Sequence, residues 1–240
     1  MRLLYAVLLV ILIAGCQSTS LSSTSTGLTH IGVAEAAEAA GDYGMAETIY
    51  ARAASEMPAD AGLQLRYADM LIKQGKIAEA RDLLSRRVKT ASSPQALRGA
   101  LGMLDLLQGE PARAIIAFDS MTTDPMRWAA NKAVALDMLG RHVEAQALYR
   151  RCLEAQPDDP VIITDLALSL ALSGHAAEAT RVAAPLLARS DLPPRIQSSL
   201  GIVQAANGDL PSAHRALGPA VTDQQLLRMA NAMNKRSDGL

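Results

Sequence analysis

Cysteine is nearly absent from this sequence, with two in 240 residues, so neither a disulfide scaffold nor a Cys-rich zinc site is available and any core must come from ordinary packing. Large rings are scarce too: one Phe, one Trp and five Tyr. Nor is there an excess of one charge. Twenty-three Lys and Arg stand against 24 Asp and Glu, and an isoelectric point near 6.4 leaves no electrostatic footprint for a nucleic-acid backbone. What the chain has instead is alanine, 44 by count, and an excess of a small, strong helix former predicts helices packed closely side by side.

The first residues read as an address. Met1-Arg2 gives a short basic start, Leu3 to Ile13 is an unbroken apolar run, and Ala14-Gly15 are small residues directly before Cys16. This is signal-peptide anatomy, and the run is shorter than the roughly 20 residues of a comfortable membrane span. Leu12-Ile13-Ala14-Gly15-Cys16 resembles a bacterial lipobox. The resemblance implies that residues 1–15 are removed and that the Cys16 thiol carries a diacylglycerol. Because Gln17 rather than an aspartate follows, it also implies lipid anchoring at the periplasmic face of an outer membrane. A plain secretory signal or an uncleaved anchor is the alternative. Stable lipid attachment needs two or three chains, since one buries only marginally at about 0.8 kcal/mol per CH2. Residues 16–28 continue as a Ser/Thr-rich, charge-free tether whose flexible reach over about 10 residues is near 18 Å.

The remainder is organised by a repeat. Gly41, Gly75, Gly109, Gly140, Gly174 and Gly208 follow one another at spacings of 34, 34, 31, 34 and 34. Five residues after each stands an alanine, at positions 46, 80, 114, 145, 179 and 213. Nine residues after the glycines comes a bulky residue, Tyr50, Leu84, Phe118, Tyr149 or Leu217, with Ala183 the exception. Prolines mark the ends of the units at Pro58, Pro94, Pro125, Pro157 and Pro193-Pro194. The pattern predicts helical hairpins. A glycine closes one helix at positive φ, a small alanine lets the second helix approach the first, and the bulky residue one turn on fills the space beyond. Pro185 and Pro219 fall inside the last two second helices, which should kink or end early there, whereas Pro111 and Pro211 lie harmlessly in first turns.

On these residues the chain resembles the tetratricopeptide repeat family, best in GDYGMAETIYARAASEMP from Gly41 to Pro58 and GRHVEAQALYRRCLEAQP from Gly140 to Pro157. The third unit departs from the pattern, being three residues short near Asp124-Pro125, and Trp128 sits one place early. The resemblance implies an all-α, right-handed superhelical solenoid of about six hairpins over residues 29–221. A C-terminal capping helix and tail follow at 222–240, opened by the capping-box pattern Thr222-Asp223-Gln224-Gln225 and carrying Leu226, Leu227, Ala230 and Met233 at helical spacing.

Little of the available chemistry points to catalysis, and no cofactor or metal is expected. His30, His142, His175 and His214 are scattered over different units, none paired at metal-ligand spacing, and read as solvated turn residues. Cys152 reads as a buried inert thiol. The expectation is a binding protein rather than an enzyme. The family pattern places first-helix positions on the concave face: Met103, Leu106, Leu107, Val134, Met138, Leu168, Leu172 and Ile202, a mostly apolar groove in which only Arg127, Asn131 and Arg195 offer polar anchors. Burial of some of these as ordinary core is the competing reading.

Asn131 to Ala179, with its LALSLALSG stretch, Ala184 to Leu187 and Leu192 to Asp209 further resemble the tetratricopeptide lipoproteins of tight-adherence (Flp) pilus systems, the TadD family. That resemblance implies a non-enzymatic, pilotin-like assembly factor that binds a protein segment, from the outer-membrane secretin or another pilus component, with no nucleic acid and no small-molecule substrate. A scaffold for outer-membrane β-barrel assembly or cell-wall synthesis is the alternative.

Overall fold

The computed structural model describes residues 25–91, 94–121, 125–218 and 220–234. Cys16, the apolar leader and the tether as far as residue 24 lie outside these, as does the tail from residue 235. Thirteen α-helices and one 3-10 turn make up the described residues, with no strand among them. None of these helices is long and apolar enough to cross a membrane. The chain divides into two compact units at residues 123/124, a boundary that coincides with the shortened third repeat.

The N-terminal unit holds three hairpins: α1 (Ser25–Ala39) with α2 (Tyr43–Glu56), α3 (Ala61–Lys73) with α4 (Ile77–Arg87), and α5 (Pro94–Leu107) with α6 (Pro111–Asp119). Each helix packs on the next, and α3 also packs on α5. Helix α1 begins at Ser25, so residues 25–28 of the expected tether are helical. The C-terminal unit opens with the 3-10 turn Pro125–Trp128. Helices α7 (Ala129–Met138) with α8 (His142–Ala155), α9 (Pro160–Leu172) with α10 (Ala176–Leu187) and α11 (Pro194–Ala206) with α12 (Leu210–Leu217) follow, and α13 (Asp223–Asn234) closes it.

The glycines act as the spacing predicts. All six stand at φ between 74 and 85°. At each, the following residue donates its N–H to the carbonyl five residues back, as Asp42 to Ala37 at 2.9 Å and His175 to Leu170 at 2.8 Å, which satisfies a carbonyl the helix end would orphan. Aspartates restart the chain after some of these turns and between hairpins: Asp42, Asp60, Asp159 and Asp209 each accept hydrogen bonds from N–H groups of the helix they open.

Packing follows the same period. The six repeat alanines are all 0% exposed, and Tyr50, Leu84, Phe118 and Tyr149 are buried one turn beyond them. Burying a side chain of that size stabilises by about 2 kcal/mol. Ala183 is buried too, while Leu217 remains partly exposed near the C-terminal end. Seven residues before each glycine stands a further small residue, Ala34, Ala68, Gly102, Ala133, Ala167 or Gly201, all buried. At two of these even a methyl group is too much: a Cβ on Gly102 would lie 2.7 Å from Phe118 Cε1, and one on Gly201 2.8 Å from Ala216 Cβ. First and second helices therefore touch backbone to side chain at these positions.

Helix α10 carries Pro185 inside it, runs 12 residues and stops two residues after the proline, shorter than α8 at 14 but longer than α4 at 11; α12 runs 8 and stops at Leu217. Pro219 itself lies outside the described residues. The capping box forms as expected, Thr222 N–H donating to Gln225 Oε1 at 2.8 Å and Gln225 N–H to Thr222 Oγ1 at 3.3 Å. Of the cap's apolar residues, Leu226, Ala230 and Met233 are buried and Leu227 is exposed.

Candidate protein-binding surface

The eight groove positions do not share one environment. In the N-terminal unit, Met103 and Leu107 of α5 are partly exposed, while Leu106 between them is buried. In the C-terminal unit Met138 of α7 and Leu172 of α9 are partly exposed, whereas Val134, Leu168 and Ile202 are interior. Expecting an apolar lining at Leu106, Val134, Leu168 and Ile202 therefore needs correction: these four belong to the core. The cause in the C-terminal unit is visible in the packing. Helix α13 packs against α11 and reaches back to α9, and α9 is also packed by α7, α8, α10 and α11. Residues 162–171 of α9 are consequently buried without interruption.

The expected polar anchors fare similarly. Asn131 is buried, Arg195 is half-buried, and the side chain of Arg127 lies outside the described residues. In the N-terminal unit, Glu35 and Glu38 of α1 pair with Arg66 and Lys73 of α3. These pairs are partly exposed, so they add little to stability but leave the two helices' charges matched in sign.

A polar network missed by sequence reasoning fills the C-terminal unit. His142, read as a solvated turn residue, is buried, with Nδ1 2.8 Å from Asp137 Oδ1. Ser169 Oγ donates to the same oxygen at 2.7 Å, and the Tyr149 hydroxyl also hydrogen-bonds Asp137. Burial pushes the Asp137 carboxyl above its ordinary value against the pull of its His142 and Ser169 hydrogen bonds. On α9, Asp165 is pushed further, to about 7, by burial first and by the charge of Asp137, with the Arg195 guanidinium opposing. The same burial pulls Arg195 down. The sequence held a signal for this: Asp137 stands three residues before a repeat glycine and His142 two after, so the turn brings them together.

The trio of Asp, His and Ser is not arranged for nucleophilic catalysis. Ser169 donates to the carboxylate rather than facing the imidazole, and His142 Nε2 is buried with no hydrogen-bond partner among the described residues. Burial raises the Cys152 thiol, the opposite of what a reactive thiolate needs. His175 and His214 sit at helix ends, beside Ser173 and Asp223 respectively. Among the described residues no three His, Cys, Asp or Glu side chains gather as metal ligands. What the arrangement can do is hold paired helices rigidly and present their outer faces.

Models of the tetratricopeptide repeat match residues 37–104 and 127–151. The chain carries tetratricopeptide repeats over these two stretches. The fold agrees with solved structures of such proteins. It is similar to PilW, a widely conserved type IV pilus biogenesis factor, with a TM-score of 0.69 at 17% identity over 86% of this chain and 100% of that one. It is also similar to PilF of Pseudomonas aeruginosa, with a TM-score of 0.63 at 12% identity over 89% of this chain and 96% of that one. A curated relative, the uncharacterized protein y4yS of Sinorhizobium fredii, is 40% identical over 76 residues, which cover 30% of this chain and 42% of the relative's length.

Proposed function

We propose that the protein is an outer-membrane-anchored, pilotin-like scaffold for biogenesis of a tight-adherence (Flp) pilus, holding a protein segment and aiding assembly or localisation of the secretin. The observation that carries this reading is the likeness of its repeat fold to PilW and PilF, together with the lipobox-like LIAGC ending in Cys16. A lipid on Cys16 would confine the repeats to the membrane surface and raise their effective concentration near a membrane-bound client. The exposed edges of Met103 and Leu107 in one unit and of Met138 and Leu172 in the other are the apolar contacts on offer to an amphipathic or extended segment.

Two experiments test it. Deletion of the gene should reduce secretin multimers and surface pili, and normal levels of both would reject the pilus assignment. A lipid analogue should label the wild type and not Cys16→Ala; equal incorporation removes the anchor from the proposal.

A further inference from the structure

A cleft of about 390 Å³ opens in the N-terminal unit between α4, α5 and α6, on positions that the groove described above does not use. Three guanidinium groups line it, from Arg81, Arg98 and Arg113, against one carboxylate, Asp105. Arg81 Nη2 donates to Asp105 at 2.7 Å, and Arg113 Nε stands 3.6 Å from the same oxygen. Arg98 is exposed and makes no ion pair among the described residues. One carboxylate shared by two arginines, with a third arginine unopposed, leaves two positive charges uncompensated in one concavity. Beside them the α6 side chain Ile116 is 71% exposed, one of the largest apolar exposures in the chain, over an apolar floor at Leu101 and Ala117.

The repeat supplies its own control. In the C-terminal unit a cleft of about 380 Å³ lies between α10, α11 and α12; its α11 and α12 lining is offset by 99 residues, the distance from Gly109 to Gly208, while its α10 side is formed farther along that helix, at Leu186 and Leu187 rather than at the counterparts of Arg81 and Ser85. Leu101 and Ala117 correspond to Leu200 and Ala216, so the apolar floor recurs. The charges do not: Arg98, Asp105 and Arg113 correspond to Gln197, Gln204 and Ser212. Two arginines line that cleft from other positions: Arg189 is paired with Asp191, while Arg215, at the position equivalent to Ile116, hydrogen-bonds the neutral Ser212 and keeps its charge. Stacking of the repeats therefore makes the concavity, while three arginines around one carboxylate beside an exposed isoleucine belong to one copy of it.

We infer that the α4–α5–α6 cleft binds an acidic, amphipathic peptide segment of a partner protein, whose carboxylates meet Arg98 and Arg113 and whose apolar side chain covers Ile116. Charge complementarity selects the acidic partner. The exposed isoleucine selects a peptide over a bare anion, which would leave that apolar surface in water. The inference stands apart from the pilus reading, because it uses neither the lipid nor Met103, Leu107, Met138 and Leu172.

The test is fluorescence anisotropy with the full chain in nonionic detergent and a labelled peptide of alternating Glu and Leu, beside the same peptide with Lys for Glu. The acidic peptide should bind with an affinity that falls as salt rises, and the basic one should not bind. Arg98→Glu with Arg113→Glu should weaken binding at least tenfold with unchanged circular dichroism, since both side chains are exposed. Should that variant lose helicity, Arg98→Gln alone should still weaken binding several-fold. Gln197→Glu with Ser212→Glu in the equivalent cleft should leave the affinity unchanged, and so should Met138→Glu with Leu172→Glu. Ile116→Ser should weaken binding while preserving its salt dependence. Absence of binding by the wild type, equal binding of the basic peptide, or indifference to the Arg98 and Arg113 changes would overturn the inference. Indifference to Ile116→Ser would show a site for bare anions instead.

Discussion

Replacing Asp165 by Asn should stabilise the C-terminal unit at neutral pH and do so progressively less as pH falls. The side chain lies inside α9's packing and its carboxyl is pushed from the ordinary 3.8 to about 7, burial being the first cause. A folded value raised above the unfolded one means that the folded state prefers the protonated acid. Its stabilising contribution is complete below pH 3.8 and is lost as pH rises through about 7. Integrating over that window, ionisation costs the fold about 2 kcal/mol at pH 5 and about 4 kcal/mol at pH 8 relative to a permanently neutral side chain. Asparagine is that neutral side chain. Trp128, the chain's one tryptophan, lies in the same unit, so urea titrations followed by its fluorescence report the unit directly. Asp165→Asn should exceed the wild type by a margin that widens from pH 5 to pH 8. A margin independent of pH, or a variant less stable at pH 8, would refute the reasoning. The Arg195 guanidinium on α11 opposes the shift, and a dominant attraction to it would produce that second result.

Other substitutions probe the packing. Gly102→Ala should destabilise the N-terminal unit by about 1–3 kcal/mol in urea titrations, because its methyl would stand 2.7 Å from the Phe118 ring, and Phe118→Leu in the same chain should recover part of the loss. Thr222→Ala removes the hydroxyl that accepts from Gln225 N–H at 3.3 Å and should cost about 1 kcal/mol, read as an earlier melting of the C-terminal unit. Gly140→Ala forces a side chain onto a residue at φ 77° and should cost about 1–2 kcal/mol, although its Cβ would touch nothing.

The repeat was legible because each of its marks has a single physical duty. Glycines at 34-residue spacing take positive φ, the alanines five residues on vanish from the surface, and Thr222 and Gln225 close their reciprocal bonds. The small residues seven before each glycine were legible in the same register, but in a chain with 44 alanines a small residue does not announce itself; Gly102 and Gly201 declare their role only when the facing side chain is seen. Exposure was hidden for another reason. Whether Leu168 or Ile202 faces solvent depends on how the neighbouring helices close around α9 and α11, a tertiary outcome that no local period encodes. His142 escaped notice because a histidine after a turn is normally solvated, and its burial depends on Asp137, Tyr149 and Ser169 from three different helices.

The central claim is that these repeats hold a pilus protein through their first-helix faces. Photo-crosslinking in cells, with a reactive amino acid placed in turn at Met103, Leu107, Met138, Leu172 and, on a second helix, the exposed Val143, tests it most directly. Adducts with the secretin or another pilus component from the first-helix positions and none from Val143 are the predicted result. Adducts from Val143 alone, or with proteins unrelated to the pilus, would contradict it.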